Sequence, residues 1–86
     1  MNTDYQPPSV AHPGETVVEH LKAREWTQEN LARRTGLTPK TISKICHGKA
    51  PITAKTALLF EPVLQRPARF WLNLQCLFDE AEARKK

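Results

Sequence analysis

Eighty-six residues, 40% hydrophobic and 26% charged, describe one small globular domain and argue against disorder throughout the chain. The longest apolar run, Ala57-Leu58-Leu59-Phe60, is far too short for a membrane span or a signal-peptide core, so the chain is expected in the cytosol with no membrane association. The net charge of +4 is modest, and its distribution is more telling than its size.

Residues 1–11 contain Pro7-Pro8 and little apolar material, and read as a flexible N-terminal arm ahead of a single domain over 12–86. Pro13-Gly14-Glu15 opens a first helix, in which Val17, Val18 and Leu21 fall on one side and Glu15, Glu19 and Lys22 on the other. Thr27 is an N-cap candidate for a second helix running to about Thr35, where Gly36 can adopt the left-handed conformation that ends it. Thr38-Pro39 pairs a cap with a proline at the first helical position and starts a third helix that Gly48 stops after about His47. A fourth helix opens at Thr53 and a fifth near Pro67. No segment alternates with a period of two, so the reading is all-α, with five short helices and no internal repeat.

The positive charge is concentrated in residues 27–50, where Arg33, Arg34, Lys40, Lys44 and Lys49 stand against Glu29 alone, whereas residues 1–26 carry a net of −2. Such a block suits contact with nucleic acid. It coincides with two short helices joined by a glycine-containing break, the helix-turn-helix arrangement. Ala32 is small where the helices must approach, and Leu31, Leu37, Ile42 and Ile45 supply a shared core.

At about 100° per residue, Lys40, Ser43, Lys44 and His47 share one face of the third helix and Ile42, Ile45 and Cys46 the opposite one. In a major groove the polar face would read base edges, lysines donating to guanine O6 and N7 and Ser43 serving either kind of partner, with Thr38 and Thr41 flanking it at the helix start. Gln28 at the opening of the second helix, His47 and Lys49 are the candidate phosphate contacts.

Catalysis is not expected. Cys46 and His47 are adjacent on a helix and point about 100° apart, and there is no glycine-rich phosphate loop. Cys46 and Cys76 give neither a disulfide framework nor metal-ligand spacing; both read as small buried hydrophobes, and no cofactor or metal is implied.

The last two helices are apolar on two sides. Phe70, Trp71, Leu74, Leu77 and Phe78 form a broad stripe on the fifth, with Leu72 and Cys76 on its far side, and Leu59 and Val63 are separated from Leu58 and Leu64 on the fourth. A helix of this kind wants two partners. The reading is a homodimer through Leu59, Val63, Phe70, Trp71, Leu72, Leu74, Leu77 and Phe78, placing two recognition helices roughly 34 Å apart on a pseudo-palindromic site. The alternative is a monomer whose curled C-terminus covers both sides.

The block from Thr27 to Thr38, continuing through Ile42-Ser43-Lys44-Ile45 to Gly48-Lys49, resembles the phage-repressor/Cro (XRE) helix-turn-helix. His12-Pro13-Gly14-Glu15 before it and Phe70-Trp71-Leu72-Asn73-Leu74-Gln75 after it look like the antitoxins of HigBA-type toxin–antitoxin modules. The resemblance implies a phage-repressor-like domain with a C-terminal dimerisation helix, in a bacterial, nucleoid-associated protein. It implies a dimeric repressor of its own operator, a double-stranded DNA partner, and a cognate HigB-like toxin, a small basic RNase of the RelE type that cuts messenger RNA on the ribosome. By the same resemblance base reading falls on Thr38, Lys40, Thr41, Ser43 and Lys44, and phosphate contact on Gln28 and Lys49.

The acidic first helix, with Glu15, Glu19 and Glu25, has the sign complementary to such a toxin, and residues 1–11 are a second candidate contact. A stand-alone XRE-family repressor without a toxin is the alternative. Two residues depart from the family pattern. Pro62 removes the hydrogen bond to the Leu58 carbonyl and is expected to kink or end the fourth helix, and Arg66 stands where a Ser or Thr cap would be usual for the fifth.

Overall fold

Helix starts are written into this chain as side chains that accept otherwise unpaired first-turn amides. In the computed structural model, which describes residues 10–85, four helices begin this way. His12 Nδ1 accepts the Gly14 N–H at 2.9 Å and opens α1 (Pro13–Arg24). Thr27 and Asn30 exchange side-chain-to-backbone bonds at 3.1 and 2.9 Å, a reciprocal capping box for α2 (Gln28–Thr35). Thr38 caps α3 (Pro39–Cys46) and Thr53 caps α4 (Ala54–Leu64), through the amides of Thr41 and Thr56. α5 (Ala68–Arg84) follows. No strand occurs among the described residues. The expected arm lies outside the described residues as far as residue 9, and Val10 and Ala11 are exposed.

Pro62 neither ends α4 nor sets its boundary: the helix runs on to Leu64 and closes at Gln65. The proline lies within the last turn and takes a donor from the carbonyl of Leu58 alone, and Leu58 is 60% exposed, on the face that water can reach. At α5 the cap position is Pro67, not Arg66, and no side chain of its own caps the helix. Glu61 Oε2, from α4, accepts the Ala68 N–H at 3.3 Å instead. Arg66 turns away, its guanidinium over the Phe70 ring at 5.2 Å.

Among the described residues, four in the left-handed conformation turn the chain. Gly36 (φ 81°) and Gly48 (φ 74°) adopt this conformation freely, but Glu25 (φ 57°) and Gln65 (φ 59°) adopt it against the Cβ–carbonyl clash that L-residues suffer there. At Glu25 the backbone closes α1 through Glu25 N–H to the Lys22 carbonyl and Trp26 N–H to the Leu21 carbonyl. Glu25→Gly is expected to raise stability by about 0.5–1 kcal/mol, offset in part by the freedom glycine adds to the unfolded chain. Thermal denaturation checks this; a midpoint that stays put or falls would contradict it.

The core takes one to three residues from each helix: Val17 and Leu21, Leu31 and Ala32, Ile42 and Ile45, Ala57, Phe60 and Leu64, Trp71, and Ile52 from the connection after α3. Trp71 is its centre. It is fully buried, with Phe60 and Phe70 edge-on to it at 5.6 and 4.9 Å between centroids and His20 at 5.2 Å. Trp71 was expected on a dimer face, and that expectation is corrected: the indole is consumed inside its own chain, because a domain this small must spend its largest side chain on its only core. The other seven dimer-face candidates keep accessible surface, Leu77 most of all at 54% and Leu59, Val63, Phe70, Leu72, Leu74 and Phe78 half-buried. The cysteines also differ from expectation, Cys46 being half-buried and Cys76 exposed.

Candidate nucleic-acid interface

The polar face of α3 is presented by what lies behind it. Ile42 and Ile45 are sunk completely into the core, which fixes the rotation of the helix about its own axis. The turn that sets its angle to α2 is three residues long, Gly36 to Thr38. Gly36 N–H closes α2 on the Ala32 carbonyl at 2.9 Å, and the buried Thr35 hydroxyl donates to the Leu31 carbonyl at 2.8 Å while accepting the Leu37 N–H at 3.3 Å. From the other side the first turn of α1 rests on the last turn of α3 through the buried Gly14.

With the apolar side held, Lys40, Lys44 and His47 are exposed and Ser43 and Thr41 half-buried, as the helical period required. The hydroxyls and the imidazole are not equivalent. Thr38 Oγ1 accepts the Thr41 N–H at 3.1 Å and its own proton goes to Thr41 Oγ1 at 2.9 Å. Thr38, expected among the base readers, thus also caps the helix, and Thr41 is left with the free hydroxyl proton. His47 Nδ1 lies 2.7 Å from the Ser43 carbonyl oxygen, a bond that exists only if Nδ1 carries the proton. Nε2 is then the ring nitrogen left for a ligand, as acceptor when neutral and as a second donor when the ring is charged. Burial pushes the Cys46 thiol up from its ordinary pKa, so it stays protonated on the core side of the helix.

The end of α3 positions Lys49. Gly48 N–H bonds the Ile45 carbonyl at 3.1 Å and Lys49 N–H the Lys44 carbonyl at 2.8 Å, a glycine-centred closure that throws the Lys49 side chain out beside the helix end. Gln28 is half-buried in the first turn of α2, where the capping box takes up the Thr27 and Asn30 amides and leaves those of Gln28 and Glu29 at the open end. Among the described residues ion pairs occur only on the far end of α5, Arg84–Glu80 and Lys85–Glu82, so no cation of residues 27–50 is neutralised by a bridge. The described residues also contain no cluster of three His, Cys, Asp or Glu side chains that could hold a metal.

Sequence reasoning missed two supports of this surface. Trp26 carries the Arg34 guanidinium on its ring at 4.1 Å and that of Arg24 at 5.7 Å, so one cation of the basic block is stacked rather than free. The signal was present: Trp26 precedes the N-cap Thr27 and Leu31 is the fourth helical residue, the spacing of a hydrophobic staple. Gln75 was legible only as the last residue of the Phe70–Gln75 block, and its partner is 23 positions away.

Residues 19–71, from the middle of α1 to the start of α5, match the family model described as Helix-turn-helix. The chain belongs to the helix-turn-helix family. It is 33% identical over 73 residues to the uncharacterized HTH-type transcriptional regulator YddM of Escherichia coli (strain K12), spanning 85% of this chain and 78% of that protein. Among solved structures it is similar to an addiction-module antidote protein of the HigA family from Coxiella burnetii (TM-score 0.87, 32% identity, 91% and 86% of the two chains). It is also similar to the Pseudomonas aeruginosa antitoxin HigA with the higBA promoter (TM-score 0.83, 29% identity, 86% and 82%). In this helix-turn-helix domain α2 is the first helix of the motif and α3 the second, the one that presents Lys40 and Lys44.

Proposed function

We propose that this helix-turn-helix protein is the antitoxin of a HigBA-type module and the transcriptional repressor of its own operator. The observation that carries this is the exposed face of α3, with Lys40, Thr41, Ser43, Lys44 and His47 set on a buried Ile42–Ile45 floor and none of its cations in an ion pair among the described residues. Its support is the similarity to HigA structures, one of them with promoter DNA. Lys40 from the first turn of the helix and Lys44 from the last donate to base edges, and Thr41 and Ser43 add hydroxyls. Lys49, the outward nitrogen of His47 and the open first turn of α2 with Gln28 hold phosphates on either side.

The active species in this reading is a dimer. Leu58 and Leu77 are 60% and 54% exposed, and Leu59, Val63, Leu72 and Leu74 are only half-buried in the isolated chain. A twin seated on α4 and α5 covers them and supplies the second recognition helix for a pseudo-palindromic operator. Sedimentation is expected to give a dimer at micromolar concentration, and a monomer there contradicts it.

The neutralised partner is a small basic mRNA-cleaving toxin of the RelE type, and Glu15, Glu19 and Glu25, all exposed on or beside α1, provide the complementary sign. The protein works in the bacterial cytoplasm, at the nucleoid. Tagged protein recovered from its native cells is expected to bring down a small basic protein encoded beside it. A preparation that binds its own promoter DNA and brings down no partner would instead make it a stand-alone repressor.

Lys49→Ala is expected to weaken operator and random DNA about equally and to lower the slope of log affinity against log salt by about 1, the signature of one lost phosphate contact. Fluorescence anisotropy over a salt series measures both quantities. A loss confined to the operator would remove Lys49 from the phosphate role.

A further inference from the structure

Gln75 lies in the part of α5 that faces the connection between α3 and α4, and it is 7% exposed. Its Oε1 accepts the backbone N–H of Ile52 at 2.8 Å, and its Nε2 donates to Asp79 Oδ1 at 2.9 Å. A backbone N–H can only donate and an ionised carboxylate can only accept, so the two partners together fix which end of the amide points where. The residue pinned is itself in the core, Ile52 being 2% exposed.

The connection is therefore fastened at both ends. The Lys49 N–H bond to the Lys44 carbonyl ties its start to α3, and Gln75 ties its far end to α5. Lys49 carries the first fastening, three residues before the second, and stands on the rim of a cleft of about 190 Å³ that Gly48, Pro51, Gln75, Phe78 and Asp79 also line. Asp79 and Lys49 share this cleft without an ion pair, the carboxylate being engaged by Gln75.

We propose that Gln75 is a positioning residue for DNA binding, holding the Gly48–Ile52 connection so that Lys49 meets a phosphate. This rests on the reading of Lys49 as a phosphate contact. A side chain on the last helix, outside the helix-turn-helix pair, thus acts on DNA through the backbone of another segment. The hydrogen bonds require only an acceptor toward Ile52 and a complementary donor and acceptor between positions 75 and 79, so exchanging the two roles preserves the device.

The test uses the full chain, an operator duplex and a random duplex, with affinity measured over a salt series. Gln75→Leu is expected to weaken both duplexes by about tenfold and to lower the salt slope by about 1, as Lys49→Ala does. The Gln75→Leu/Lys49→Ala pair is expected to be no weaker than the single variants, because both remove the same contact. Gln75→Glu alone sets two carboxylates against each other and is expected to lose affinity. Gln75→Glu with Asp79→Asn keeps an acceptor for the Ile52 N–H and restores the 75–79 hydrogen bond with its sense reversed, at unchanged net charge, and is expected to recover it.

Losses that multiply in the Gln75/Lys49 pair, an unaltered slope in Gln75→Leu, or no recovery in the exchanged pair would overturn the proposal. If Gln75→Leu does not fold, the comparison of Gln75→Glu with the exchanged pair decides alone. Wild-type protein that binds neither duplex would refute the repressor reading itself. A normal response to Lys49→Ala with wild-type affinity in Gln75→Leu would refute only the role of Gln75.

Discussion

Gly14→Ala is expected to unfold the domain or bring it to the edge of unfolding. Gly14 is buried in the first turn of α1, and a Cβ built on it runs into the carbonyl oxygen of Ile45, with the Ile45 carbonyl carbon at 2.9 Å and Cys46 Cα at 3.1 Å. All three are main-chain atoms of the last turn of α3, so no side-chain rotation relieves the collision and the two helices must separate. Overpacking a well-filled interior costs about 1–3 kcal/mol where side chains can adjust, and a rigid backbone obstacle puts this site at or above about 3 kcal/mol. A domain of this length holds roughly 4–13 kcal/mol in all.

Gly36→Ala is the internal comparison. It has open space around it but a φ of 81°, so it loses only about 1 kcal/mol to backbone strain. Urea denaturation of the two variants measures the difference, and equal midpoints would contradict the contact assigned to Gly14. Because the obstacle is α3 itself, whatever protein remains folded is also expected to bind DNA poorly.

Lys40→Ala with Lys44→Ala is expected to abolish operator preference while retaining part of the affinity for random DNA. Both ammonium groups project from the solvent face of α3 and neither is in an ion pair among the described residues, so removing them leaves the fold intact. Each base-edge contact is worth about 1–3 kcal/mol of discrimination, and losses at separate positions are roughly additive. The double variant should therefore lose about 2–6 kcal/mol on the operator and much less on a scrambled duplex. Proportionate losses on the two duplexes would make these lysines phosphate contacts and move base reading elsewhere.

Much of the fold was legible because its signals are local. Thr27, Thr38 and Thr53 cap helices at the positions their sequence context indicates, and Gly36 and Gly48 take the left-handed turns. The two faces of α3 separate as its periodicity demands, since Ile42 and Ile45 have no other way to leave water. Non-local decisions were not legible. Whether Trp71 served its own core or a twin depended on how Phe60, Phe70 and His20 converge on it from three helices. Pro62 did not end its helix, because only the exposed Leu58 lost a donor.

The candidate site divides in the same way. The face residues followed from helical spacing, whereas the commitment of the Thr38 hydroxyl to its cap and of the His47 ring to the Ser43 carbonyl are matters of hydrogen-bond geometry. Arg24 shows the limit most clearly. It is a cation in an acidic segment whose guanidinium donates to the Leu64 carbonyl at 2.8 Å, 40 positions away, where it closes α4.

The most direct test of the central claim is the affinity of the intact protein for the DNA upstream of its own gene, measured beside a scrambled duplex of equal length at the same salt. A face built to read bases predicts a preference of about a thousandfold or more for the upstream sequence. Equal affinity for the two duplexes would contradict it, leaving α3 as a basic surface that holds phosphates and reads nothing.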